Sequence, residues 1–481
     1  MSLSSSLNFA VAGLDLSSRR AEVVARNVSS ADLPGYARRT ANPVGPGVGL
    51  PGSNVAIARE SDPRLTQLRR EAQSEQQGSS VARDFLLALE DGLGIPGDAG
   101  SLQSRLANLD AAFLAAASDP TSATRLGQVS TAADQLAKTL NGLDAIVLQR
   151  RQAADADIGK AVGQINSDLE NIARLNTDIL RLNSGGHDTA DLYDQRTVLV
   201  DRISRQIPLR ELPRDDGAIA LVSESGVILL DGKAAELGFS ARAPITAAMT
   251  TPIQLSGLSV NGKSVVTSGA TSAIPGGGLQ ALFDLRDRDA PEANARLDAL
   301  AADLISRFQS PTVDVSLAPG AAGLFTDNGA GYDPAADVGL AGRIEINGLV
   351  APDRPDAHWR LRDGLGAAAP ETGADASLLL RYGAAFAERS LPVASGLPAV
   401  AQDLTGLAAS LQSLISSDRI VADDKVAFAA TRAEGLIQMR DGGAVDIDAE
   451  MRRLIEVEQA YAANARVIQA VNDMMNRLSE I

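Results

Sequence analysis

Apolar residues recur at helical spacing over most of the chain, and the pattern is tightest at its two ends. At the start, Leu3, Leu7, Ala10, Leu14, Ser17, Ala21, Val24, Val28 and Ala31 step by four and three residues, the heptad seam of a coiled coil. Near the end, Leu454, Val457, Tyr461, Asn464, Ile468, Val471, Met475 and Leu478 repeat that spacing, with Ile447 and Met451 extending it backwards. Asn464 is polar in the stripe, so it either faces water at the edge or fixes the register. Seams rich in Ala and Ser allow close approach but bury little, and a lone helix of this length is marginal in water. The two ends are therefore expected to pair with each other or with copies of themselves, and to be ordered only in an assembly. The first seam stops at "NVSSADLPGY" (27–36): Pro34 disfavours helix at Leu33, Gly35 permits a turn, and Tyr36 can anchor the chain on a neighbouring layer.

Between the ends the pattern predicts a helical body. Helices are expected over 62–93, 101–118, 123–183, 192–207, 278–309 and 399–439, with a last one over 446–479. Strand alternation interrupts them. "AIALVSESGVILLDGK" (218–233) turns at Ser225-Gly226, "LSVNGKSVV" (258–266) carries Asn261-Gly262 in a type I′ position, and "GRIEINGLV" (342–350) carries a second Asn-Gly turn. "GPGVGLPG" (45–52) and "PGGG" (275–278) read as linkers. The expected fold is mainly α with inserted β. It comprises an N-terminal axial helix plus linker (1–60), a helical body in two parts (61–209 and 276–440), a small antiparallel β domain between them (210–275), and a C-terminal axial helix (441–481) that pairs with the first. A β-hairpin is expected near 342–350.

Composition narrows the function. With 44 Lys+Arg against 60 Asp+Glu the 481-residue chain has a net charge of −16, which argues against a nucleic-acid partner. Cysteine is absent, so disulfides, thiol nucleophiles and thiolate metal sites are excluded, as suits a chain that travels unfolded and refolds without oxidation. Aromatics are only 3 %, so the cores must be built from Leu, Ala, Val and Ile. Neither a cleavable leader nor a membrane-spanning run is expected.

Candidate chemistry is sparse. Of two histidines, His187 lies in "GGHDTADLYDQR" beside Asp188, Asp191 and Asp194. That spacing lacks the alternating ligands, central Gly and terminal Glu of a calcium loop, and reads better as a helix start capped by Asp188 or Thr189, with Gly185 capping the helix before it. His358 precedes Trp359, the only Trp, and reads as a strand-edge residue beside a core aromatic. No nucleophile elbow, phosphate loop or dinucleotide fingerprint occurs. No catalytic, metal or cofactor-binding residue is singled out.

The ends also carry a resemblance. "AVAGLDLSSRRAEVVARNVSSADLPGYARR" (10–39) resembles the N-terminal signature of bacterial flagellar rod, hook and hook-associated proteins, through Gly13-Leu14, Asn27-Val28 and Pro34-Gly35-Tyr36. The second Asn of the usual pattern is Ser30 here. "DAEMRRLIEVEQAYAANARVIQAVNDMMNRL" (448–478) resembles the matching C-terminal helix. Inside, "DTADLYDQRTVLVDRIS" (188–204) and "GGGLQALFDLRD" (276–287) are similar to segments of the hook-associated protein 1 family, although the His-containing motif that usually follows the second is missing from 306–327.

The resemblance implies a structural protein of the hook–filament junction, with no enzymatic activity and no cofactor, exported by the type III route with its chaperone. Its implied partners are copies of itself in a ring, the hook protein, and a second junction protein on the filament side, with neither nucleic acid nor membrane. Leu3, Leu7, Ala10, Leu14, Val24, Asn27, Val28, Pro34, Gly35 and Tyr36 on the first helix, and the C-terminal seam from Leu454 to Leu478, are the expected assembly residues. The competing readings are another axial subunit of hook or rod, and a secreted wall hydrolase.

Overall fold

A computed structural model describes residues 3–44, 54–185, 187–269, 271–442 and 445–479. The segment 45–52 lies outside them, as does the side chain of Leu478. In chain order, helix α1 (Leu3–Ser30) is followed by strands β1 (Arg39–Val44) and β2 (Asn54–Arg59). Four helices come next: α2 (Pro63–Leu93), α3 (Leu102–Ser118), α4 (Ala123–Ser184) and α5 (Ala190–Gln206). Short strands follow as β3 (Leu209–Pro213), β4 (Ile219–Ser223), β5 (Ile228–Asp231), β6 (Lys233–Ala234), β7 (Leu237–Gly238), β8 (Ser259–Val260) and β9 (Lys263–Ser264). Then come α6 (Gly277–Asp284), α7 (Ala290–Phe308), β10 (Phe325–Asp327), β11 (Ile344–Ile346), α8 (Arg360–Asp363), α9 (Ser377–Ala387), α10 (Leu404–Gly442) and α11 (Ile447–Ser479).

Local signals set the helix starts. Asp62 accepts the Leu65 N–H with Pro63 in the first turn, Ser101 caps α3 through Ser104, and Ser122 caps α4 through Arg125. The 62-residue α4 is the spine of the body, about 90 Å long at 1.5 Å per residue. Its first half, from Leu126 to Ala154, packs with α2, α3, α7, α9 and α10 in one apolar core; its second half, from Ile158 to Ile172, packs with α5, α6 and the sheets in another.

At the boundary of the two cores, Arg286 is fully buried and 2.6 Å from Asp155 of α4, and Arg151 donates to four backbone carbonyls. The Leu-Arg-Asp segment read from sequence is therefore an internal tie. Residues 285–289 form one π-helical turn there, so the helix expected over 278–309 is two helices, α6 and α7, joined by a wider turn.

Several expectations change. The β segment has no core of its own: Leu221, Leu230, Leu237 and Leu258 share theirs with α4 and α5. Gly276–Gly278 is no linker. It starts α6 in close contact with neighbours, so a Cβ on Gly277 would lie 2.5 Å from the Gln206 carbonyl, and one on Gly78 of α2 would lie 3.0 Å from the Gly277 carbonyl. β11 pairs not across the Asn347-Gly348 turn but backwards with β10, because the Asn347 side chain donates to Gly323 O at 2.9 Å and pins the two segments together. His358 lies in no strand. It is buried, with its ring bonded to Ala351 O, while Trp359 is only half-buried. The Asn261-Gly262 turn does have both residues at positive φ, as a type I′ turn requires.

Candidate assembly site

The two terminal helices, expected to be ordered only in an assembly, are already paired antiparallel within the single chain, with Asn27 meeting Glu450 at one end and Gly13 meeting Asn464 further along. At the second crossing a Cβ on Gly13 would lie 2.6 Å from Asn464 Nδ2. Asn464 is half-buried and sits in the helix contact, and the glycine is what admits it. Ser17 turns its hydroxyl onto Gly13 O at 2.8 Å and asks nothing of the partner helix. Of the seam positions, Ala10, Val24 and Val471 are buried, and Leu3, Leu7, Leu14, Val28, Leu454, Val457 and Ile468 are half-buried. Tyr461 and Met475 are 48 % and 50 % exposed. Ile447 and Met451, which extend the seam backwards, are exposed too, as are apolar residues beside it: Phe9 and Val11 on α1, and Ile455 and Met474 on α11.

At the body end of this pair lies a dense polar joint. Asn27 is fully buried and its amide is saturated. It donates to Arg39 O at 2.9 Å and to Glu450 Oε2 at 3.0 Å, and it accepts from the Tyr36 hydroxyl at 2.8 Å and the Arg39 N–H at 3.0 Å. Glu450, 1 % exposed, also receives Arg38 at 2.7 Å. One side chain thus joins α1, the Pro-Gly-Tyr turn, β1 and α11. Gly35 has φ +81°, and a Cβ there would lie 2.6 Å from Val198 of α5, so both its conformation and its closeness demand glycine. Burial pushes the Tyr36 hydroxyl's pKa up, which keeps it a donor.

The joint continues into the body through α5. Arg39, 2 % exposed, donates to Asp191 at 2.7 Å and Asp194 at 2.6 Å, and Arg59 donates to Asp194 at 2.7 Å. Burial opposes the charge on Arg39, but its hydrogen bonds to the two aspartates outweigh that, and its pKa sits above the ordinary value. Arg59 also reaches Gly35 O and the Thr197 hydroxyl, both at 3.2 Å. Arg196, next but one to Asp194, points the other way, to Asn176 and Gly217 O. The carboxylates here are all engaged by guanidinium or amide groups, an arrangement that holds elements together.

Sequence reasoning placed Asn27 and Tyr36 at contacts between subunits. Asn27 departs from this, being wholly inside the chain, whereas Tyr36 and Gly35 are half-buried on Asn27 and α5 and Pro34 is exposed. Arg38, Arg39, Arg59 and Glu450 were not singled out. A usable signal existed in Asp191 and Asp194, three apart on one helix face; the helix start read there is capped by Asp188, which accepts the Ala190 N–H, with Asp191 in the first turn.

Two family matches fall on these elements. Residues 88–312 match the helical domain of flagellar hook-associated protein FlgK, and residues 442–481 match the C-terminal domain of flagellar basal body rod FlgEFG proteins. The chain is thus similar, over its helical body and its terminal helix, to two families of flagellar proteins. The relatives that match the chain are flagellar hook-associated proteins 1, each under 30 % identical to it.

It is 27 % identical over 245 residues to flagellar hook-associated protein 1 of Salmonella typhimurium, covering 48 % of this chain and 44 % of that protein. The Bacillus subtilis protein of the same name is 22 % identical over 365 residues, 71 % of this chain and 69 % of the relative. The chain thus spans about half the length of the first of these relatives. The flagellar hook junction protein FlgK of Burkholderia pseudomallei aligns over 54 % of this chain and 46 % of its own, at 23 % identity and a TM-score of 0.44.

Proposed function

We propose that this chain is a structural protein of the hook–filament junction, built into the bacterial flagellum by its terminal helices and catalysing no reaction. What carries the reading is the combination of the two family matches with an antiparallel helix pair that buries only one stripe of each helix and leaves Met451, Ile455 and Met474 exposed. Burying such side chains against neighbours contributes roughly 1.5–3 kcal/mol each, a sum that becomes large only when several neighbours are present. Its partners are then copies of itself in a ring, the hook protein on one side and a second junction protein on the other, after export through the type III apparatus with a chaperone. The seam from Leu3 to Val28 and from Leu454 to Met475 first holds the two helices together, and its exposed members and flanks meet the neighbours.

The test is complementation of a deletion strain. The intact chain should restore filaments, whereas Ile455→Asp, exposed and outside the intrachain seam, should be exported but leave hooks bare and flagellin in the medium. Normal filaments with Ile455→Asp would overturn the role given to that face, and failure of the intact chain would overturn the junction reading itself.

A further inference from the structure

Arg39 and Arg59 are directly opposite each other in the β1–β2 ladder, so the pair that closes this hairpin is like-charged. Opposed like charges on neighbouring strands repel. What lies between them is one carboxylate of the body: Asp194 Oδ2 takes Arg39 and Asp194 Oδ1 takes Arg59. A second observation gives this weight. Neither apolar core contains a residue of α1, α11, β1 or β2. Besides the chain connections, the helix pair and its hairpin meet α5 through the Asp194 and Asp191 pairs, the Arg59–Thr197 bond, the Gly35–Val198 approach and a longer Arg26–Asp188 pair at 3.8 Å.

We propose that Asp194 is a keystone: it neutralises the closing arginine pair of the hairpin and, by the same two bonds, locks the direction of the terminal helix pair relative to the body. With Asp194 in place the hairpin is closed and the arm points one way. Without it the two arginines separate, the hairpin opens at its base, and the arm swings on its chain connections. Since Arg39 and Asp194 are largely shielded from water, the lock holds across ordinary salt concentrations, and its release requires a partner that competes for Asp194 or for the arginines. Asp194 acts through the hairpin, so it is a positioning residue.

The absence of cysteine permits a direct test on the full chain. Spin labels on Val11→Cys in α1 and Leu180→Cys near the end of α4, both exposed in the wild type, report the arm's direction, and hydrogen exchange reports the hairpin. The wild type should show one narrow distance distribution. Asp194→Asn should broaden it and speed exchange of the hairpin amides at least tenfold, with the amides of α4 between 126 and 154 unchanged. Adding Arg39→Gln and Arg59→Gln to Asp194→Asn should recover hairpin protection, because the repulsion is gone, while the distribution stays broad, because the lock is gone. Arg59→Gln alone, a milder change, should broaden the distribution less than Asp194→Asn. A narrow distribution in Asp194→Asn, or a triple variant whose hairpin exchanges as fast as the single one, would overturn the proposal.

Discussion

Replacing Asn27 by Ala removes a side chain that is fully buried and makes four hydrogen bonds inside the joint. The losses are unequal. Glu450 keeps Arg38 and Arg453, and the half-buried Tyr36 hydroxyl can turn to water, so both are partly compensated. The Arg39 N–H and carbonyl have no such recourse, since the residue is 2 % exposed. Two buried backbone groups left without partners cost about 1–3 kcal/mol each. Helix propensity returns about half a kcal/mol for Asn→Ala. The expected net loss is about 3 kcal/mol, a factor of roughly 150 in a local opening equilibrium.

Trp359 lies in the body, so its fluorescence would miss this event. Hydrogen exchange at the Arg39 amide reads it directly, because that N–H is bonded to the deleted oxygen. Exchange there should accelerate about 100-fold at unchanged body stability, and the α1–α11 ends near Glu450 should follow. Arg39 exchange within threefold of the wild type would refute the reasoning that Asn27 organises the joint.

Gly13→Val drives two methyls into the space of the Asn464 amide and should displace α11 from α1, seen as lost helix-pair protection and reduced thermal stability; unchanged protection would mean the crossing has slack. Tyr382→Phe should be neutral or stabilising by up to about 1 kcal/mol in urea unfolding, because the fully buried Tyr382 hydroxyl finds no hydrogen-bond partner among the described residues. A clear destabilisation would reveal a partner there. Asp298 is buried under the 339–341 turn, accepting from Gly339 and Ala341 at 2.8 Å, and burial lifts its pKa from 3.8 to about 6, with Asp144 adding to the rise and Arg343 opposing it. The folded chain therefore holds this proton more tightly than the unfolded one, and its contribution is fully present below pH 3.8 and is lost as pH rises to about 6. The urea midpoint should fall over that window and fall less in Asp298→Asn; identical slopes in both would remove Asp298 as the cause.

What could be read from sequence was set by distance along the chain. Caps at Asp62, Ser101 and Ser122 and the Asn261-Gly262 turn act within four residues, so the helices they start and the hairpin they close were legible. The heptad seams were legible because pairing repeats one rule over many turns. The β1–β2 hairpin was not: Arg39 to Val44 contains Pro43 and no apolar alternation, and it is held by Asn27 and by Asp194, 155 residues from Arg39. The same holds for the shared core. Strands 219–223 and 228–231 look self-sufficient in pattern, and only the structure shows their apolar faces lying on α4 and α5. The segments that carried the family resemblance turned out to be ties: Asp194 anchors the arm, and Arg286 joins the two cores.

Electron cryo-microscopy of flagella carrying this chain tests the central claim most directly. The expected result is density for the chain between hook and filament, with α1 and α11 of each copy paired antiparallel, Gly13 against Asn464, and the Met451–Ile455 flank against a neighbouring copy. Axial structures without the chain, or terminal helices that face solvent while other surfaces make the contacts, would contradict it.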